Sequence, residues 1–482
     1  MGSTRRGIPG AAIDDGVDHV ESGMDAGGPV RWIMCGIAGE VVADEGRADL
    51  AAVDRMSDAM ASRGPDGAGS WSGGWVALGH RRLSIIDLSD AGAQPMVDPE
   101  LGLALAFNGC IYNYRELRRA LSDRYAFTST SDTEVILKAY DRWGDRFVEH
   151  LVGMFAIALV DQRRRRVLLA RDRLGIKPLY VAESGQRYRF ASTLPALLAG
   201  GGVDTGLDPV ALHHYFTWHS IVPAPRTILR GVRKLPPATV RILEPGRPPR
   251  DRVYWRPDYV RRPEHAGWGE DDWREAVGDA LRTAVRRRMV ADVEVGVLLS
   301  GGLDSSLVVA LLAEAGQPLR TFSIGFPSSG DQDGDEFAYS DAVAQKFGTD
   351  HHQIRIDTAE IPPAVDQAVA AMTEPMGNHD VTAFFLLCRE VSRQVKVVQS
   401  GQGADEVFAG YRYHQPAAGA VRADAPAVFA DAFDDRRHDE LAGVLDPRWL
   451  CEHDVSGDLV REHMAAPGAE TALTRSSGWT PT

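Results

Sequence analysis

Cysteine is scarce, with only Cys35, Cys110, Cys388 and Cys451 in 482 residues. That is too few for a disulfide framework in a chain of this length. No CxxC pair occurs, which argues against a structural zinc site. No apolar run approaches the roughly 18 residues of a membrane span, and residues 1–33 lack the apolar core of a secretory signal. Positive charge is also short. Lys and Arg number 53 against 67 Asp and Glu, a formal net charge of -14, whereas a nucleic-acid partner requires a basic face. The densest basic run, Arg163 to Arg166, lies between the apolar runs Phe155–Val160 and Val167–Ala170 and reads as a solvated hairpin turn. These absences point to a cytoplasmic protein with reduced thiols and small-molecule partners, with no nucleic acid and no membrane.

What is present is ordinary for a globular protein: 44% hydrophobic and 25% charged residues. The length suits two or three domains. Residues 1–33 carry Gly, Asp and Arg without periodicity and are expected to be disordered. From Met34 to about Leu235, short apolar strands alternate with Gly and Asn turns and with helical stretches at Leu50–Ser62 and Thr133–Trp143. That mixture predicts an α+β domain of layered sheets. Pro245–Pro263 reads as a linker. Beyond it the pattern changes to a helix at Asp271–Met289, a buried strand at Val293–Leu299, a glycine loop and a helix at Ser305–Glu314. Strands follow at Arg320–Phe326 and Lys396–Gln399. Strand, loop, helix and strand make a βαβ unit, so an α/β domain with a parallel sheet is expected, its ligand at the carboxyl ends of the strands.

The glycine loop is Ser300-Gly301-Gly302-Leu303-Asp304-Ser305-Ser306. Adjacent glycines let backbone N–H groups close around a phosphate, and the helix N-terminus adds its dipole. It lacks the ending of a Walker A loop and matches the SGGxDS signature of ATP pyrophosphatases. Asp405 follows the next strand in Ser400-Gly401-Gln402-Gly403-Ala404-Asp405-Glu406. Asp304 and Asp405 can share a Mg²⁺ with a triphosphate, because Mg²⁺ takes one or two carboxylates plus phosphate oxygens. Asp335-Glu336, in the acidic stretch Asp331–Glu336, departs from the calcium-loop pattern and reads as a solvated loop near the nucleotide.

Met34-Cys35-Gly36-Ile37 resembles the start of class II glutamine amidotransferases, whose mature chains begin with the cysteine. A thiol of pKa about 8.5 needs a base, and a free α-amine of pKa about 7.7–8.0 serves. Further motifs follow in the order seen in glutamine-hydrolysing asparagine synthetases. They are Arg63-Gly64-Pro65-Asp66-Gly67, Gly79-His80-Arg81-Arg82-Leu83-Ser84-Ile85-Ile86-Asp87, Asn108-Gly109-Cys110-Ile111-Tyr112-Asn113 and Ser131-Asp132-Thr133-Glu134. Arg171–Tyr180 and Lys234-Leu235-Pro236-Pro237 also match. The resemblance implies an αββα N-terminal-nucleophile domain over 34–245, a linker at 246–263 and an ATP-pyrophosphatase domain over 264–471. It implies Cys35 as nucleophile with Asn108 and Gly109 as oxyanion-hole donors. Arg82 would grip the glutamine carboxylate and Asp132 its ammonium, with Leu83, Ser84, Ile85, Ile86 and Cys110 lining the pocket. It implies ATP at Leu299, Ser300, Gly301, Gly302, Asp304, Ser305, Ser306, Ile324, Ser400 and Gly401, with Mg²⁺ at Asp304 and Asp405. The expected reaction is amidation of a carboxylate through an acyl-adenylate, with ammonia from glutamine. A homodimer is left open.

Two positions depart from asparagine synthetases: Cys110 and Gln402 stand where those enzymes keep Glu. With Ser192–Leu198, Val222–Thr227 and Met372–Met376, they resemble the N-acetylglutaminylglutamine amidotransferases, which amidate a capped dipeptide to make an osmoprotectant. That is the leading expectation, with asparagine synthesis from aspartate and an inactive or regulatory relative as alternatives. Translation is expected to begin at Met34. The last lysine is Lys396, and residues 472–482 have no periodicity. A shortened C-terminus with weak or absent synthetase activity is therefore expected, leaving apolar surface exposed around Phe384–Leu387.

Overall fold

The computed structural model describes residues 34–258, 262–327, 337–378 and 380–465. Expectations for residues 1–33, for Asp331–Glu336 and for the 472–482 tail lie outside these. Among the described residues, twelve strands build the first part of the chain: β1 (Gly36–Val42), β2 (Gly67–Ser72), β3 (Val76–Arg82), β4 (Met96–Asp98), β5 (Leu103–Ile111), β6 (Gly153–Asp161), β7 (Arg166–Arg171), β8 (Tyr180–Ser184), β9 (Arg187–Ala191), β10 (Val232–Lys234), β11 (Thr239–Leu243) and β12 (Arg250–Val253). They form two six-stranded sheets, β10-β8-β9-β1-β3-β2 and β12-β11-β7-β6-β5-β4.

Side-chain alternation sets the layers. On β5, Ala104 and Ala106 pack with Ile37, Val41 and Leu78 between the sheets. Leu103, Leu105 and Phe107 point the other way, onto a layer with Leu117, Val135 and Ile136. The small alanines let the sheets approach. The outer layers are α1 (Leu50–Asp58) with α4 below, and α2 (Tyr114–Leu121) with α3 (Asp132–Trp143). Asp49 caps α1 by accepting from Ala52 N–H at 3.0 Å, and Ser131 caps α3 by accepting from Thr133 N–H at 3.0 Å. Val53 and Met56 of α1 meet Leu194 and Leu197 of α4 (Leu194–Gly200) on the outer face of the first sheet. This is the expected αββα sandwich. The expected linker is not uniformly irregular, since β12 lies inside it and pairs antiparallel with β11. The Arg163–Arg166 hairpin is present, but Arg166 is buried, donating to the Tyr140 hydroxyl at 2.8 Å.

After α5 (Pro209–Thr217) and α6 (Glu270–Arg287), four parallel strands follow: β13 (Val295–Leu298), β14 (Arg320–Gly325), β15 (Asp350–Arg355) and β16 (Val397–Gln399), in the order β15-β14-β13-β16. The chain steps outward from β13 to β15 and returns to the other side of β13, which opens a crevice at the strand carboxyl ends. Connecting helices are α7 (Leu303–Glu314), α8 (Phe337–Phe347), α9 (Ile361–Ala371) and α10 (Asp380–Val391). Then come α11 (Ala404–Phe408), α12 (Ala425–Phe433) and α13 (Val455–Ala465), the last two packing on Trp218. Among the described residues no helix is long and apolar enough to cross a membrane.

The expectation at Phe384–Leu387 is overturned. Phe385, Leu386 and Leu387 are buried, and Leu387 packs with Leu298, Phe322 and Val391, beside the half-buried Phe384. Apolar exposure falls instead on Leu303, Tyr339, Val407 and Phe408.

Glu40, fully buried on β1, is held by Arg187, by Arg189 Nε at 2.6 Å and by the Asp49 N–H at 2.9 Å. Removing one partner of a buried pair costs about 3–5 kcal/mol, and exposure of Arg187 places this case at the lower end. Glu40→Ala is expected to lose about 3 kcal/mol in urea unfolding while leaving the fold recognisable by circular dichroism.

Candidate functional site

Cys35 precedes β1 at the edge of the inter-sheet layer. Its Sγ accepts from the Leu83 N–H at 3.3 Å and lies 3.6 Å from the Leu83 carbonyl. Arg63 Nε donates to the Cys35 carbonyl at 3.3 Å. Burial pushes the thiol up, opposed by the Leu83 N–H and by the charges of Lys177 and Arg63. Lys177 was not singled out from the sequence as a site residue. It lies buried beside Cys35, its Nζ 3.0 Å from Met34 Sδ, and burial followed by Arg63 brings it down to about 8. Its backbone is fixed by Asp172, whose carboxylate accepts from Phe155, Leu174, Ile176 and Lys177 N–H groups at 2.9–3.2 Å. The Arg171–Tyr180 motif therefore serves to place that lysine.

A small cavity of about 30 Å³ adjoins Cys35 and is lined by Arg82, Leu83, Ile85, Ile86, Gly109, Cys110 and Asp132, all expected. Ser84 and Asn108 are not among its lining residues. Ser84 is half-buried, and its backbone N–H donates to Asp66 Oδ2 at 2.9 Å. Asn108 shares the inter-sheet face of β5 with Ala104 and Ala106, by alternation. Its side chain is buried, and Nδ2 has no partner among the described residues. A buried donor left open is an unusual cost that a bound oxygen would remove. Gly109 admits no side chain, because a Cβ would meet the Met154 carbonyl at 2.2 Å. His80 and Gln94 pin the neighbouring strand. His80 Nε2 lies 3.0 Å from the Phe107 carbonyl, and the Phe107 N–H donates to Gln94 Oε1 at 2.7 Å.

Arg82 and Asp132 face one pocket with opposite charges. The Arg82 guanidinium donates to the Ser89 carbonyl at 2.8 Å and to the Asp87 carbonyl. Asp132 accepts from the Ile111 N–H at 3.0 Å. Burial drives its carboxyl up to about 7 against that hydrogen bond and the charge of Arg82. Cys110 is buried, and desolvation followed by the Asp132 charge raises its thiol well above the ordinary range, so it is neutral. A dipolar amino acid fits this pattern, its carboxylate to Arg82 and its ammonium to Asp132.

The second site is a cleft of about 730 Å³ at the carboxyl ends of β13, β14 and β16. Leu299, Ser300, Gly302, Asp304, Ser305, Ile324, Ser400 and Gly401 line it as expected, with Asp405, whereas Gly301 and Ser306 are not among its lining residues. Gly301 serves the turn itself: its φ is +88°, and a Cβ would meet Tyr339 Cβ at 2.5 Å. A Cβ on Gly401 would meet Ser305 N at 2.8 Å and Asp304 Cβ at 2.9 Å, so the two loops touch. Asp380, at the start of α10, is a lining carboxylate that sequence reading missed. Nothing in its local sequence carries a signal for it. Among the described residues no three His, Cys, Asp or Glu side chains form a metal cage. The donor set fits Mg²⁺ held by Asp304 and Asp405 together with phosphate oxygens. An equally large hollow at the opposite strand ends, lined by Glu294, Arg320 and Asp350, has no such loop.

Residues 34–255 match a family model described as a glutamine amidotransferase domain, and residues 276–480 one described as asparagine synthase. Asparagine synthetase (glutamine-hydrolysing) 3 of Bacillus subtilis is 34% identical over 80% of this chain and 64% of its own length. Asparagine synthetase (glutamine-hydrolysing) 1 of the same organism is 32% identical over 76% of this chain and 56% of its own length. A Methanocaldococcus jannaschii relative that carries the same family name is 33% identical over 79% of this chain and 76% of its own length. The chain thus spans 56–64% of the two Bacillus subtilis relatives.

If Asp132 receives an ammonium, it must be ionised. With its pKa raised to about 7, glutamine affinity is expected to weaken about tenfold per pH unit once the pH falls below about 7. Isothermal calorimetry between pH 5.5 and 8.5 measures this, and Asp132→Asn should bind weakly with a flat profile.

Proposed function

This chain belongs to the asparagine-synthetase-like family of class II glutamine amidotransferases, and we propose that it transfers glutamine nitrogen to a carboxylate activated with ATP. The observation that carries the reading is Cys35 at the mouth of a pocket bearing Arg82 and Asp132, in one chain with a glycine-loop cleft bearing Asp304 and Asp405. Glutamine is held by Arg82 and Asp132. The Cys35 thiolate attacks the side-chain amide carbon, the C–N bond breaks, and ammonia leaves with the proton taken from sulfur, giving a thioester that water cleaves. The base is the Cys35 α-amine, free only when the chain is processed to begin at that residue. Asn108 Nδ2 and the Gly109 backbone are assigned to the oxyanion. ATP supplies the adenylyl group that activates the acceptor, with Mg²⁺ screening its phosphates. The chain's own groups orient it: the Ser300–Ser305 loop, the N-terminus of α7 and the paired carboxylates.

The named relatives support aspartate as acceptor and asparagine as product, and that reading now precedes the capped dipeptide. The dipeptide keeps one specific support. Gln402 lines the cleft, and a neutral amide there suits an acceptor with no free ammonium. Offering both acceptors with glutamine and ATP, and weighing the amide product, decides between them. A chain that neither hydrolyses glutamine nor forms either amide would overturn the proposal in favour of an inactive relative.

Cys35→Ala is expected to reduce glutamine use at least about a thousandfold while sparing amide synthesis from ammonia. Asp304→Ala and Asp405→Ala are expected to abolish ATP-dependent synthesis and leave glutamine hydrolysis measured without nucleotide within about twofold. Steady-state assays of glutamate, pyrophosphate and amide separate these outcomes.

A further inference from the structure

We infer that Asp292 and Lys396 are positioning residues that couple the glutamine pocket to the nucleotide cleft, so that filling either site tightens the other. This rests on the function proposed above.

The inference starts at Asp87, a hub of the glutamine pocket. Its carbonyl accepts from the Arg82 guanidinium. Its carboxylate accepts from Ser89 Oγ at 2.5 Å and from the Thr130 N–H at 2.8 Å, two residues before Asp132. Both charged groups that receive the amino acid are therefore set by one residue. The N–H of that residue donates to Asp292 Oδ2 at 2.8 Å, and the Asp292 N–H donates back to the Ile85 carbonyl at 2.8 Å. The Arg115 guanidinium stands 3.9 Å from the other Asp292 oxygen. Asp292 lies three residues before β13, whose far end opens into Ser300.

A second bridge repeats the plan with opposite charge. Asp66 Oδ2 accepts from the Ser84 N–H at 2.9 Å and from Lys396 Nζ at 2.8 Å. Lys396 immediately precedes β16, whose far end opens into Ser400 and Gly401. β13 and β16 are adjacent and hydrogen-bonded in parallel, Val295 to Val397 through Val297 to Gln399.

So the pocket loop from Ser84 to Asp87 is tied to the near ends of two paired strands, and the cleft loops hang from their far ends. At that end Gly401 sits against Asp304 and Ser305 too closely for a Cβ, so the loops cannot shift independently. Short paired strands transmit a displacement instead of absorbing it. Ordering the Ser300 and Ser400 loops by a nucleotide thereby restrains the Asp87 turn, and a bound amino acid restrains the strands in return. Coupling of this kind is reciprocal in binding.

The test uses the chain processed to Cys35, measured with and without saturating ATP and Mg²⁺. Wild-type glutamine KM is expected to fall about fivefold or more when nucleotide is present. Labelling Cys35 with an electrophilic glutamine analogue, 6-diazo-5-oxonorleucine, is expected to tighten ATP binding by a similar factor. Asp292→Ala and Lys396→Ala, singly, should shrink both effects to under about twofold. Their nucleotide-free kcat should stay near wild type, and melting should fall only by the few degrees that a lost charged hydrogen bond costs, so the KM ratio decides. Asp292→Asn, which keeps an acceptor for the Asp87 N–H, should restore most of the effect. A merely structural pair of bridges would shift melting and leave the KM ratio intact, and that result overturns the inference. So does a wild-type chain that hydrolyses glutamine and binds ATP with neither affecting the other, although the proposed function then stands. If the chain does neither, the proposed function falls and the inference with it.

Discussion

The geometry of the pocket beside Cys35 depends on one left-handed residue. Asp87 has φ of +54°, a conformation that costs a non-glycine residue roughly 1–2 kcal/mol. It is held there by bonds from its N–H, carbonyl and carboxylate, and hydrogen bonds that include a charged partner contribute about 1.5–3 kcal/mol each. The balance favours the strained turn. Burial tends to raise the Asp87 carboxyl, but the bonds from Ser89 and Thr130 outweigh it and keep the group below the usual range. A charged hub at this point aims Arg82 from one side and stiffens the entry to α3, and hence Asp132, from the other.

That hub also shows where sequence reading stops. Cys35, Arg82, Gly109 and Asp132 were named from motifs that resemble one family, and the fold brings all four to one cavity. The layered sheets could be read from strand alternation, and the nucleotide cleft from a glycine loop between a buried strand and a helix. Asp87 belonged to a quoted motif, yet its partner Asp292 is 205 residues away. A contact at that separation leaves no periodicity and no spacing. Lys177 is a similar case. Its motif was visible, but only the fold brings its ammonium against Cys35. Asp380 had neither motif nor pattern, and reaches the cleft because α10 begins there.

The mistaken expectation at Phe384–Leu387 has a plain physical cause. An apolar run on a helix says that one face is covered, without saying by what. Here β13 and β14 supply Leu298 and Phe322 for that face, so no further helix is needed to bury it. Among the large apolar side chains left exposed, Leu303 lies in the cleft-side first turn of α7 and Val407 and Phe408 lie together on the short α11, where too few turns exist for a hydrophobic pattern to be read.

A buried thiol at position 110 sets the electrostatics of the pocket. Cys110 and Asp132 line the same small cavity, and Asp132 already carries a carboxyl raised to about 7 by burial. A glutamate at 110 would place a second buried acid beside it, and two carboxylates in one dry site cannot both ionise cheaply. One would hold a proton through neutral pH. With a neutral thiol there, position 110 adds no like charge against Asp132, and the charge of Arg82 favours the ionised carboxylate. The cost is one buried acceptor fewer in the cavity. The gain is that the negative charge of the cavity rests on a single acid, positioned by the Ile111 N–H and the Asp87 turn.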